Sequence, residues 1–312
     1  MTTDALTTAT AASQNSAHTT LGTSQGATQD NAQNNTQGTL RRLSAFTQTP
    51  EGGNPAGVWI GDQLPSEQEM QAIAAEVGFS ETAFIAPSTG QKRTIRYYSP
   101  ETEVAFCGHA TIASGVALGE SDGDNTYLLS TTVGEVPVTV KTEGSLKTAA
   151  LTSIEPEYQP ASESLLKQIL EILGWQLHEL DPSIPPANAY SGNWHFVIAA
   201  GSKQRLDNLD YDFDRLKQLM QAENLTTLQL IWRESDQVIH SRNPFPIGGV
   251  VEDPATGAAA AALGGYLREA NLIQAPAHIS VHQGVIMGRP SLLEVTIPTS
   301  GGITVAGTAV AI

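Results

Sequence analysis

Residues 103–120 read EVAFCGHATIASGVALGE. An acid leads into Cys107-Gly108-His109, and small or apolar residues follow as far as Gly119. A helix built from them has little side-chain bulk and no polar face. Such a helix is buried on every side, threaded through a wrapped sheet with close backbone contact. The stretch also has a counterpart. RYYSPETEVAFCGHATIASGVALG (96–119) and RNPFPIGGVVEDPATGAAAAALGGYL (242–267) share a skeleton. Arg96 stands four residues before Pro100, and Arg242 four before Pro246. Six residues then separate Pro100 from Cys107 and Pro246 from Asp253, and each segment enters a Gly/Ala-rich helix containing Leu-Gly. An internal duplication predicts two equivalent halves, each built around one such helix.

The flanking sequence is strand-rich. RRLSAFTQTPEGGNPAGVWIGD (41–62) reads as strand, loop, strand. PSEQEMQAIAAEVG (65–78) reads as a helix with Ser66 and Glu69 as a capping box, Met70, Ile73, Ala74 and Val77 as its apolar face, and Gly78 as its stop. Strands are expected at SETAFIAP (80–87) and KRTIRYYSP (92–100), a hairpin or meander over 127–156, and strands at NWHFVIAAGS (193–202), TTLQLIWRES (226–235) and 278–312. Helices are expected at SESLLKQILEILGW (162–175) and FDRLKQLMQAENL (213–225), and the Pro-rich HELDPSIPPANAY (178–190) as a crossover. Short turn-linked strands interrupted by few helices predict an α+β fold: two similar lobes, each a mixed, largely antiparallel curved sheet around a central helix. The expected division is a disordered tail at 1–39, an N-terminal lobe at 40–155 and a C-terminal lobe at 156–299. The tail is almost uncharged Thr, Ala, Gln, Asn, Ser and Gly, with no apolar signal core and no Arg before Arg41.

Composition narrows the partners. The chain has 312 residues and a formal net charge of −16, which argues against nucleic acid and anionic membranes as partners. An anionic small substrate remains compatible, because a helix N-terminus binds anions locally. One cysteine excludes an intrachain disulfide and a cysteine-rich zinc site, and suggests a reducing, cytoplasmic setting. No metal is expected: His278 and His282 lie in an alternating, strand-like stretch, and the other histidines are isolated. EGGNPAGV (51–58) lacks the spacing of a phosphate loop, so no nucleotide cofactor is expected.

Two helix N-termini meeting at one cleft would hold a carboxylate. Cys107 with His109 and, opposite, Asp253 would place titratable groups on two sides of a bound molecule, as proton abstraction and return require. Glu81 opens an apolar strand on the face of Ala83 and Ile85, where desolvation would move a carboxyl toward the useful range. Each residue has an ordinary reading as well: a solvated strand-start Glu, a capping His, an Asp-Pro N-cap or a buried small Cys.

The motifs GNPAGV (53–58), SETAF (80–84), CGHATIAS (107–114) and EDPATG (252–257), in this order, resemble the phenazine-biosynthesis PhzF-like isomerase family, of the diaminopimelate epimerase-like fold. The resemblance covers about residues 41–312. It implies two α/β lobes with a site between them, a C-terminal strand (about 300–312) returning to the first lobe, homodimerisation, and proton transfer without cofactor or metal. It implies Glu81 as the proton-shuttling acid/base, with His109 and Asp253 completing the catalytic set. Asn54, Cys107, Gly108, Ala110, Thr256, Gly257 and Ala258 are then the residues that shape the substrate site. Two positions depart from the pattern: Ala258 where some members carry serine, and Ser44 where an aspartate often stands. Two other readings remain open, a racemase or epimerase of this fold using Cys107 as a base, and a non-catalytic binding or scaffold protein that retains the cleft.

Overall fold

The computed structural model describes residues 37–312. The tail expected at 1–39 therefore lies outside the described residues up to position 36. Gly38 and Thr39 already belong to the first strand, paired with Gly61 and Ile60.

In chain order the first half holds β1 (Gly38–Ala45), β2 (Asn54–Gly61), α1 (Glu67–Val77), β3 (Thr82–Pro87), β4 (Lys92–Tyr98), β5 (Glu103–Val104), α2 (Gly108–Asp122), β6 (Asn125–Thr131), β7 (Gly134–Glu143) and β8 (Leu146–Thr152). The second holds β9 (Glu157–Pro160), α3 (Glu163–Leu173), β10 (Ala187–Tyr190), β11 (Trp194–Ala199), α4 (Lys203–Asp207), α5 (Phe213–Ala222), β12 (Thr227–Arg233), β13 (Val238–Phe245), β14 (Val250–Asp253), α6 (Gly257–Glu269), β15 (Ala277–Gln283), β16 (Ser291–Ile297) and β17 (Thr304–Ala311).

The pairing order repeats. In the first half, β1–β2 is antiparallel, β2–β3 parallel, β3–β4 antiparallel, β4–β6 parallel, and β6–β7–β8 antiparallel. From β10 the same sequence of senses runs β10–β11, β11–β12, β12–β13, β13–β15 and β15–β16–β17. Short β5 hangs on β4 as β14 hangs on β13. β17 also pairs with β8 and β1, which closes β1-β2-β3-β4-β6-β7-β8-β17 into a ring and joins the two strand sets into one sheet. The fold is a mixed, sheet-rich, barrel-like α+β arrangement with few helices.

Each Gly/Ala-rich helix runs through one strand set. α2 is buried from His109 to Gly119 and packs on β1, β2, β3, β7, β8 and β17. α6 is likewise buried through almost its whole length, against β9–β12, β16 and β17. The glycines explain the fit. A methyl added at Gly115 would lie 2.8 Å from both Val138 Cγ1 and Ala149 Cβ, and one at Gly119 would lie 2.4 Å from Val140 Cγ1. Ordinary carbon contacts need about 3.5–4.0 Å, so only hydrogen fits there.

The remaining helices cover the outside. β11 alternates, with Val197 and Ala199 turned to the α6 core and Phe196 and Ile198 to the layer of α3 and α5. α1 carries the predicted Ser66/Glu69 capping box and the Gly78 stop, and seats Met70 and Ala74 against Trp59, Phe84 and Tyr98. No helix among the described residues is long and apolar enough to cross a membrane.

Strands β5, β9, β10, β13 and β14 escape sequence inspection. β13 is interrupted by His240, Ser241, Arg242 and Asn243, polar residues satisfied inside the fold: Ser241 donates to Asn243 Oδ1, and Asn243 to Gln229. β9 and β10 are four residues each and rich in proline or polar residues, and β10 lies inside the segment expected as a crossover.

Candidate active site

The duplicated arginines have one local task. Arg96 on β4 makes a two-pronged ion pair with Glu103 on β5, and Arg242 on β13 makes the equivalent pair with Glu252 on β14. The second pair is buried, and Arg242 also donates to the carbonyl of Asp207 at 2.7 Å. These forked contacts fix the short strands that deliver the chain into α2 and α6.

The segments leading into the two helices differ in length. α2 begins one residue after Cys107, its N-cap, whereas α6 begins four residues after Asp253, with Thr256 as N-cap. By position at the helix start, Thr256 rather than Asp253 is the counterpart of Cys107. Pro254, which lacks an N–H and has a fixed φ, occupies the extra turn.

Neither helix is capped by a side chain. The other four described α-helices all are, by Ser66, Ser162, Ser202 and Asp212. The first N–H groups of a helix have no acceptor within it, so α2 and α6 keep theirs available. The two N-termini are also adjacent. A methyl added at Gly108 would lie 4.0 Å from the Ala258 backbone nitrogen. A cleft of about 470 Å³ opens there, walled by Phe106, Gly108, Val133, Ile154, Tyr190, Ser191, Gly257 and Ala258 among others. Ser191 anchors its β10–β11 rim by donating to the Ala258 carbonyl at 2.9 Å.

Beside Gly108, three side chains converge. Cys107 Sγ lies 3.4 Å from Glu81 Oε2 and 3.4 Å from His109 Nδ1, and His109 Nε2 lies 3.4 Å from the same Glu81 oxygen. Ser80 Oγ lies 3.4 Å from His109 Nε2. Glu81 sits immediately before β3, and its carbonyl accepts from Gly57 N, which pins its backbone. Its side chain is 20% exposed, while Cys107 and His109 are buried. This cluster adjoins the cleft without being among the residues that wall it.

Asp253 is held from three directions. Asn54 donates to its Oδ1 at 2.8 Å and to the Ala255 carbonyl at 3.2 Å. Thr256 donates to Oδ2, and Gln283 donates to the Asp253 carbonyl at 2.7 Å and to Thr256 Oγ1. Burial pushes the Asp253 carboxyl up, opposed first by the His109 ring and then by Thr256; the Glu81 charge pushes it further up. Burial also pushes the Cys107 thiol far up, and Glu81 adds to it.

Thus Glu81, Cys107 and His109 are in mutual contact. Gly108, Gly257 and Ala258 stand at the facing helix starts, and Asn54, Asp253 and Thr256 form a second hydrogen-bonded group that feels the charges of the first. Ala110 is buried in the first turn of α2. Sequence inspection missed Gln283, Ser191 and Ser80. Gln283 sits in an alternating strand whose inward positions are otherwise apolar, and that break in pattern is the signal it carried.

The sequence profile of the phenazine biosynthesis-like protein family matches residues 43–312. An uncharacterised isomerase of Bacillus subtilis, YfhB, is 30% identical over 86% of this chain and 94% of its own. A trans-2,3-dihydro-3-hydroxyanthranilate isomerase of Pseudomonas fluorescens is 30% identical over 80% of this chain and 87% of its own. The crystal structure of the PhzF-family phenazine biosynthesis protein of Bacillus anthracis superposes with a TM-score of 0.76 at 25% identity, over 88% of this chain and 96% of that one.

Proposed function

The chain belongs to the phenazine biosynthesis-like (PhzC-PhzF) family, and from that premise we propose that it is a cofactor-independent isomerase moving a proton within a small carboxylate-bearing molecule. The substrate lies between two lobes, one around α2 and one around α6. Its carboxylate faces the uncapped N–H groups near Gly108 and Gly257, where the positive ends of both helix dipoles favour negative charge.

Glu81 is the general acid and base. Its carboxylate takes a proton from a carbon conjugated to the carboxyl group. The electron pair left behind spreads into that group as an enolate, which the helix N–H groups stabilise as it forms. Glu81, now protonated, returns the proton to another carbon of the same molecule. The double bond shifts, nothing is oxidised or reduced, and Glu81 ends as it began. His109 and Asp253 orient the substrate and relay protons at its edges. The observation that carries this reading is the convergence of Glu81, Cys107 and His109 beside the only two α-helices left uncapped among those described.

A racemase using Cys107 is the weaker reading. It needs a ready thiolate, and burial together with the Glu81 charge holds the Cys107 proton on. A single buried thiol also fits a reducing, cytoplasmic setting.

The test is proton NMR in D2O with a panel of small cyclic and conjugated carboxylic acids, including the substrate named for the Pseudomonas relative. Isomerisation or deuterium uptake that Cys107→Ala retains and Glu81→Gln loses supports the assignment. Loss in Cys107→Ala with retention in Glu81→Gln establishes the racemase reading. Tight binding without turnover or exchange establishes a binding protein.

A further inference from the structure

We propose that Glu81, Cys107 and His109 form a capture site for a thiophilic divalent cation such as Zn2+, and that its occupation switches the isomerase off. Tetrahedral zinc, with bonds of about 2.3 Å to sulfur, 2.0–2.1 Å to nitrogen and 2.0–2.2 Å to oxygen, sets its ligand atoms about 3.3–3.6 Å apart. Two separations here fall in that range, 3.4 Å for Cys107 Sγ to Glu81 Oε2 and 3.4 Å for His109 Nε2 to Glu81 Oε2; the third, Cys107 Sγ to His109 Nε2, is 3.8 Å and lies just beyond it. The nitrogen–oxygen separation favours the edge of a shared metal over a direct hydrogen bond. It is longer than the about 2.7–3.2 Å of an N–H···O hydrogen bond, and it is a fitting edge for a shared metal. These are the one cluster of three or more metal-ligating side chains among the described residues.

The surroundings suit a soft cation better than a hard one. Cys107 and His109 are buried, while Glu81 keeps a path to solvent. The N-terminus of α2 opposes a bare cation. A carboxylate and a thiolate together neutralise the two charges, with the thiol proton released as the metal–sulfur bond forms. The fourth position is left to water or to a substrate carboxylate. A metal held on Oε2 occupies the atom that carries the proton in the reaction proposed above. Binding rests on the geometry alone; the loss of turnover rests also on Glu81 being the acid/base group.

Cobalt(II) titration of the full chain tests the site, because a cobalt–thiolate bond gives a near-ultraviolet charge-transfer band. The chain has one cysteine, so that band reports Cys107 without any substitution. The expected result is a band that saturates at one equivalent, accompanied by the visible bands of tetrahedral cobalt, and that Zn2+ abolishes. Glu81→Gln should weaken cobalt binding by at least the roughly tenfold that loss of an outer-shell partner costs. Absence of the band at saturating cobalt, or an undiminished affinity in Glu81→Gln, overturns the site. Zinc that displaces cobalt while turnover continues unchanged overturns the inhibition and, with it, the role given to Glu81.

Discussion

Asn54 and Asp253 lie 199 positions apart in the chain, yet the Asn54 side-chain amide donates to Asp253 Oδ1 at 2.8 Å. The bond ties the start of β2 to the end of β14, one element from each strand set. The same amide reaches the Ala255 carbonyl, so one side chain holds both the carboxylate and the bend that leads into α6. Asn54→Ala leaves a buried carboxylate short of a donor. It should lower stability by about 1–3 kcal/mol and reduce turnover. Chemical denaturation and steady-state kinetics on the same preparation check both, and an unchanged midpoint contradicts the role.

The Asp253 carboxyl has a second consequence. Burial raises its folded pKa above the unfolded value near 3.8. The native state therefore keeps the Asp253 proton where the unfolded chain has lost it, and stability falls as pH rises through that window. Asp253→Asn removes this loss. Its melting temperature should equal or exceed that of the parent at pH 7, and the advantage should shrink below about pH 3.8. A variant less stable at pH 7 than at pH 3, relative to the parent, contradicts the sign.

His195 works in the opposite direction. It is wholly buried on β11, with Nδ1 2.8 Å from Thr227 Oγ1, and burial depresses its pKa to about 3. The unfolded chain takes up that proton near pH 6.5, whereas the native state resists. Its contribution to stability is complete above about pH 6.5 and is lost as pH falls toward 3. His195→Gln should flatten the fall in melting temperature between those limits. A parallel pH profile in parent and variant would count against it.

The glycines of α2 give a packing prediction. In Gly119→Ala the new methyl meets Val140 Cγ1 at 2.4 Å. Overpacking costs about 1–3 kcal/mol, against about 1 kcal/mol gained in helix propensity. The net change should be destabilising, and thermal melts of parent and variant check it. The same substitution at Gly123, where nothing lies within 4 Å but φ is +93°, should also destabilise, through backbone strain rather than contact.

Much of this was legible in the sequence for physical reasons. A helix without a polar face announces its own burial, and the Arg96/Arg242 match marked two halves whose strand senses repeat. The capping box of α1 is a local code and reads locally. What escaped depended on distant contacts. The polar residues of β13 look like a loop until Gln229 is placed beside Asn243. The extra turn between Asp253 and α6 made Asp253 look like the counterpart of Cys107, a position that Thr256 fills. Gln283 reaches the site only because β15 lies parallel to β13.

The proton-shuttling role proposed for Glu81 is tested most directly by kcat/KM of Glu81→Gln against the parent, on whichever acid of the panel the parent isomerises, with melting temperatures matched. Loss of a general acid/base typically costs about 10²–10⁴-fold, and a fall of that size is the expected result. A variant that retains turnover within a few-fold of the parent contradicts the account.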